Sequence, residues 1–173
     1  MRYVFIVIAS GVIFLFAFNV FSPPIHLDLS NSILADKIVV NKGKREMFLF
    51  ADGKELKNYK IALGHNPIGT KTQSGDGKTP EGTYFISHKN ERSKFHLSLK
   101  ISYPNSDDLE QANKKNIDAG GDIMIHGLPN GLNMIGSTHR LKDWTLGCIA
   151  VTNDEIEEIW KLVPVGTKII INP

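Results

Sequence analysis

A mainly β domain with one or two short helices, preceded by an N-terminal membrane segment, is what this 173-residue chain predicts. Three observations carry that prediction. From Asp36 onward, short β-branched or aromatic runs alternate with Gly, Asn, Asp and Pro punctuation, the habit of strands divided by turns. Helical periodicity is confined to two short stretches. The run Tyr3–Phe21, broken only by Ser10, Gly11 and Asn19, is apolar throughout and long enough for a bilayer-crossing helix, which takes about 20 residues.

Taken in order, residues 1–22 read as an uncleaved anchor. A signal peptide has a shorter apolar core and a small-x-small cleavage site, whereas this run ends Phe18-Asn19-Val20-Phe21 before Ser22-Pro23-Pro24. A cleaved signal is the alternative. No cysteine follows to take a lipid. Residues 23–36 form a polar tether, and 37–173 are one domain of a size that buries a real core. Its expected strands are Lys37–Asn41, Arg45–Ala51, Glu55–Leu63, Gly82–Ser87, Leu97–Tyr103, Asp122–His126, Cys148–Val151 and Thr167–Asn172. Asp52-Gly53 marks a hairpin between the second and third. The clearer helix is Asn153–Val163: Thr152 and Glu155 form a capping box, Ile156, Ile159, Trp160 and Val163 share a face, and Pro164 and Gly166 end it. Asp107–Lys114 is a second, more polar helix.

Composition narrows the chemistry. Twenty Lys and Arg against 18 Asp and Glu give +2 with no basic block, so a nucleic-acid partner is not expected. The glycine-rich loop Gly64–Gly82 ends in Gly77-Lys78-Thr79, but Thr72 stands where a phosphate-binding loop requires glycine and Pro80 falls where its helix would start. A turn-rich loop bordering a substrate groove is the expectation instead. The six histidines form no ligand spacing with one another or with Cys148, so no metal site is expected. Ser-x-x-Lys is absent, which removes a serine acyl-enzyme of the penicillin-binding type.

What remains is a cysteine and a histidine. Cys148, the sole cysteine, follows Gly147 in Trp144-Thr145-Leu146-Gly147-Cys148-Ile149, and Ile123-Met124-Ile125-His126-Gly127 lies upstream. A free cysteine beside Ile149 and Val151 is often just a small buried hydrophobe. In an exported chain, however, an unpaired thiol is an oxidation liability that asks for a reason. A nucleophile supplies one: the thiol attacks as thiolate, so it needs an imidazole to take its proton and backbone N–H groups to hold the oxyanion. Gly147 leaves room for a close backbone approach.

His126-Gly127, Thr145-x-Gly147-Cys148-Ile149, the capped helix and Val165–Ile171, with Thr79-Pro80-Glu81-Gly82-Thr83-Tyr84 upstream, together resemble the L,D-transpeptidase (YkuD) catalytic domain. The resemblance implies a sandwich-like, mainly β fold with the cysteine at the floor of a groove, and no cofactor. It implies that Cys148 attacks a peptidoglycan stem peptide, that His126 accepts and returns the proton, and that the Gly127 carbonyl orients the imidazole. The N–H groups of Leu146, Gly147 and Cys148 would hold the oxyanion, and the thioester would pass to an amine. A family substrate of this kind places the domain on the wall side of the membrane, in the bacterial cell envelope. Leu146 and Ala150 depart from the His and the Arg or Asn usual there. His139, Arg140 and Trp144, next to Thr145, are the expected replacements at the substrate. Transfer to water, making an amidase or endopeptidase, and a non-catalytic wall-binding module are the competing functions.

Overall fold

The computed structural model describes residues 33–173. The expected membrane segment 1–22 and most of the tether 23–36 lie outside the described residues. Among the described residues no helix is long and apolar enough to cross a membrane.

Strand β1 (Lys37–Asn41) and strand β2 (Glu46–Ala51) alternate half-buried and buried residues, so Ile38, Val40, Met47 and Leu49 all fall on one face. Asp52 and Gly53 both take positive φ (50° and 75°), as a two-residue hairpin with right-handed strand twist requires, and turn the chain into β3 (Lys54–Lys60). Strand β4 (Gly82–Ser93) comes next, followed by β5 (His96–Ile101), helix α1 (Ser106–Lys114) and β6 (Met124–His126). A kinked 3-10 segment, Asn133–Leu141, precedes β7 (Ile149–Ala150), helix α2 (Asn153–Leu162) and β8 (Lys168–Asn172). Both helices carry complete capping boxes, Asn105 with Asp108 and Thr152 with Glu155.

The strands form one eight-strand order, β3-β2-β1-β8-β4-β5-β6-β7. It divides at β4, whose Gly82–Phe85 pairs with β8 and whose residues from Ile86 on pair with β5, with register shifts between Ile86 and His88 and between Asn90 and Ser93. The sandwich-like expectation therefore takes the form of two leaves hinged on one long strand. They share a single core: Ile38, Val40 and Leu49 from one leaf cluster with Leu99, Ile125 and Ile149 from the other, and α2 adds Ile156 and Ile159. The expected third strand is shorter than Glu55–Leu63. After Lys60 the chain leaves β2, and Ala62 instead exchanges backbone hydrogen bonds with Ala150 (3.0 and 2.8 Å), so that β7 is paired on both edges.

The Gly64–Gly82 loop is held by two buried lysines. Lys42 Nζ donates to the carbonyls of Gly69 (2.7 Å) and Thr79 (2.9 Å) and pairs with Glu81 (2.7 Å). Burial pushes its pKa down, and the Glu81 carboxylate opposes that shift. Lys71 pairs with Asp76 at 2.9 Å, and Asp76 also accepts the N–H groups of Thr72, Gln73 and Lys78. A buried ion pair is tolerable when its remaining lone pairs are met in this way.

Candidate active site

Strand β7 starts one residue after Cys148, and its parallel register sets Ile149 beside Ile125 and Ala150 beside His126. Side chains alternate along a strand, so Ile125 and Ile149 enter the core while Cys148 and His126 emerge together on the other face. Both line one cavity of about 320 Å³. The sequence pair is thus brought to a single site.

The imidazole is fixed from several sides. His126 Nδ1 lies 2.7 Å from the Gly127 carbonyl oxygen. A carbonyl only accepts, so Nδ1 carries the proton and Nε2 keeps its lone pair for use as a base. The Phe95 ring stacks at 4.4 Å between centroids and the Trp144 ring stands edge-on at 5.7 Å. Burial holds the His126 pKa down to about 4, against the Gly127 hydrogen bond, which raises it. Gly127 has no alternative here: a Cβ would come within 2.7 Å of Asn153 Oδ1 and 2.9 Å of Ile156 Cγ2. Phe95 is not legible in the sequence because it reaches the site from the β4–β5 turn, where its carbonyl accepts the Gly127 N–H at 3.1 Å.

The nucleophile turn is equally constrained. Thr145 Oγ1 donates to the Cys148 carbonyl (2.7 Å) and accepts from the Gly147 N–H (3.1 Å). Gly147 holds φ at 131°, and a Cβ there would lie 2.6 Å from the Lys78 carbonyl oxygen. The Gly64–Gly82 loop therefore braces the turn from behind, and it contributes none of the cavity's lining. Its Thr70, Lys71 and Thr72 instead line a separate small cavity with Tyr103 and Asp108. Arg45 and Asp143 add a second brace: Arg45 Nη2 pairs with Asp143 Oδ2 (2.7 Å), while Asp143 Oδ1 accepts from Leu63 N–H (2.9 Å). The Gly147 N–H, already given to Thr145, is not a free oxyanion donor, which leaves the Leu146 and Cys148 N–H groups of the expected three. Burial pushes the Cys148 thiol pKa up, partly offset by the Met124 backbone N–H, and the Asp122 charge adds to the rise. Thiol and imidazole are both neutral at rest.

Trp144, Thr145 and Leu146 line the cavity, Leu146 standing 79% exposed at its rim. Arg140 and His139 do not. Arg140 is ion-paired with Glu155, the capping-box residue of α2, and so fastens the 3-10 segment to that helix. His139 is buried behind Trp144 and accepts its indole N–H at 3.4 Å. Both side chains support the wall of the site, because the 3-10 segment that carries them packs toward α2. Among the described residues no group of three or more His, Cys, Asp or Glu is placed to hold a metal ion.

Comparison with known proteins identifies the family and the fold. The profile of the L,D-transpeptidase catalytic domain family, YkuD, matches residues 35–171. YqjB of Bacillus subtilis (strain 168), named as a candidate L,D-transpeptidase, is 30% identical over 135 residues, covering 78% of this chain and 69% of YqjB. YafK of Escherichia coli (strain K12), named likewise, is 29% identical over 110 residues, 62% of this chain and 37% of YafK. Among solved structures, the helical cell shape determining protein Pgp2 of Campylobacter jejuni superposes with a TM-score of 0.60 at 26% identity, over 80% of this chain and 47% of that one. An Enterococcus faecium L,D-transpeptidase shares the fold at a TM-score of 0.52 and 16% identity, over 81% of this chain and 50% of that one. The chain thus spans well under half of YafK and about half of these two structures. With the family profile running across nearly the whole described domain, the chain belongs to the YkuD family of L,D-transpeptidase catalytic domains.

Proposed function

We propose that this protein is a cysteine-dependent peptidoglycan L,D-transpeptidase, anchored by residues 1–22 with its domain on the wall side of the cytoplasmic membrane. The observation that carries the reading is the tautomer of His126: Nδ1 tied to the Gly127 carbonyl leaves Nε2 unprotonated in the cavity that Cys148 also lines. In the first half-reaction Nε2 takes the thiol proton as sulfur attacks a stem-peptide carbonyl. The oxyanion meets the Leu146 and Cys148 N–H groups. Collapse breaks the peptide bond, the imidazolium protonates the leaving amine of the terminal residue, and a thioester remains. In the second half-reaction an acceptor amine takes the acyl group. No cofactor enters either step.

The test is mass analysis after incubation with a disaccharide-tetrapeptide. A cross-linked or amine-exchanged product supports the reading, and release of the terminal residue with water alone as acceptor moves the chain to the hydrolases. Cys148→Ala should abolish both the thioester and turnover with the fold retained. Turnover above a few percent of wild type in that variant would exclude Cys148 as the nucleophile.

A further inference from the structure

The charge in the catalytic cavity is opposite to the one its sequence led us to expect. With Arg140 held by Glu155, the only full charge among the residues lining the cavity is the carboxylate of Asp122, since His126 is neutral. Asp122 stands just before β6 in a left-handed conformation (φ 54°), and its carbonyl oxygen lies 3.5 Å from Cys148 Sγ. Its charge reaches the thiol, whose pKa it raises. A negative charge there opposes thiolate formation and the oxyanion, so it disfavours the first half-reaction. An incoming cation is what it favours. The second half-reaction brings one at the attacking atom itself, because an alkyl amine reaches the site as ammonium at neutral pH.

We propose that Asp122 receives the ammonium of the acyl acceptor and so selects for cationic amines, an inference that rests on the transpeptidase reading above. In the structure the Asp122 carboxylate pairs with Lys100 of β5 at 2.6 Å. Both side chains are well exposed, and exposed pairs of this kind contribute little, so a substrate ammonium can take the place of Lys100. The bound ammonium loses one proton to solvent to become the nucleophile. Its nitrogen attacks the thioester carbonyl, the C–N bond forms, and the C–S bond breaks. His126 Nε2 takes the second proton and passes it to the departing Cys148 sulfur, restoring the thiol.

The experiment uses the full chain and a tetrapeptide donor, with two acceptors compared on the same acyl-enzyme: Nα-acetyl-lysine amide, whose only charge is its ammonium, and hydroxylamine, neutral at pH 7. Asp122→Asn keeps a residue type that tolerates the left-handed backbone. It should raise KM for the lysine amide about fivefold relative to hydroxylamine, the scale of a partly exposed charge pair. Lys100→Ala, which removes the competing cation, should lower the same relative KM. A purely structural Asp122–Lys100 pair would move both variants in the same direction and both acceptors alike, and that outcome overturns the proposal. An unchanged KM ratio in Asp122→Asn overturns it too. Absence of a thioester mass on the wild-type protein before any acceptor is added defeats the transpeptidase reading itself, and the proposal with it.

Discussion

The resting state of the Cys148–His126 pair can be worked out from its surroundings. Burial holds the imidazole at about 4 and lifts the thiol above its ordinary 9.0. Moving the proton from sulfur to Nε2 thus crosses at least 5 pH units, about 7 kcal/mol at 1.36 kcal/mol per unit. Attraction between the resulting charges, for a separation of about 4 Å and an effective dielectric of about 20, returns on the order of 4 kcal/mol. The thiolate–imidazolium form then lies roughly 3 kcal/mol uphill, below about one molecule in a hundred. Cys148 is a thiol until substrate arrives, and His126 acts as a base during attack instead of holding a preformed ion pair. Alkylation of Cys148 by iodoacetamide should accordingly rise with pH through a single ionisation above pH 9, since only the thiolate reacts. A step at low pH with a reactive plateau across neutrality would refute the reasoning, because it would require the ion pair to be populated at rest.

Two further outcomes follow from the same packing. Because the His126 pKa is depressed from 6.5 to about 4, folding favours the neutral ring; the associated stability is complete above pH 6.5 and is lost as pH falls through 4, on the order of 3 kcal/mol. Urea midpoints measured from pH 7 to 4 should fall more steeply for wild type than for His126→Asn, and parallel curves would refute this. Gly127→Ala forces a methyl against Asn153 Oδ1 and Ile156 Cγ2, so it should destabilise the domain by roughly 1–3 kcal/mol in the same assay while lowering turnover; a neutral effect on stability would show that α2 yields easily.

The chemistry was more legible in the sequence than the walls around it. His126 and Cys148 sit in short local contexts, His-Gly and Gly-Cys before apolar strands, and local context is what a sequence displays. Strands β1 and β2 were legible for a similar reason, a strict two-residue alternation over a one-sided core. Strand β4 runs six residues past the expected Ser87 because its second half, His88 to Ser93, leaves the core and pairs with β5 on backbone hydrogen bonds alone, with no apolar alternation to announce it. The 3-10 segment Asn133–Leu141 was invisible as well: Met134 and Leu141 face solvent, and a glycine at φ 50° kinks it in the middle. The role of Arg140 is not legible in the sequence because position in a loop says nothing of its partner Glu155 on α2. The sequence around Asp122 shows only the start of a strand, and its placement in the cavity depends on the β6–β7 pairing.

That pairing bears on how the active protein comes into being. Strand β7 has two residues, and its partners arrive from distant parts of the chain, Ile125 and His126 on one side and Ala62 on the other. Contacts of such long sequence separation form only after the intervening loops have been closed by something else. A nascent or truncated chain therefore carries the complete His-Gly and Gly-Cys sequence while lacking the site. Catalytic competence becomes a property of the finished fold, acquired only when β7 has found both of its neighbours.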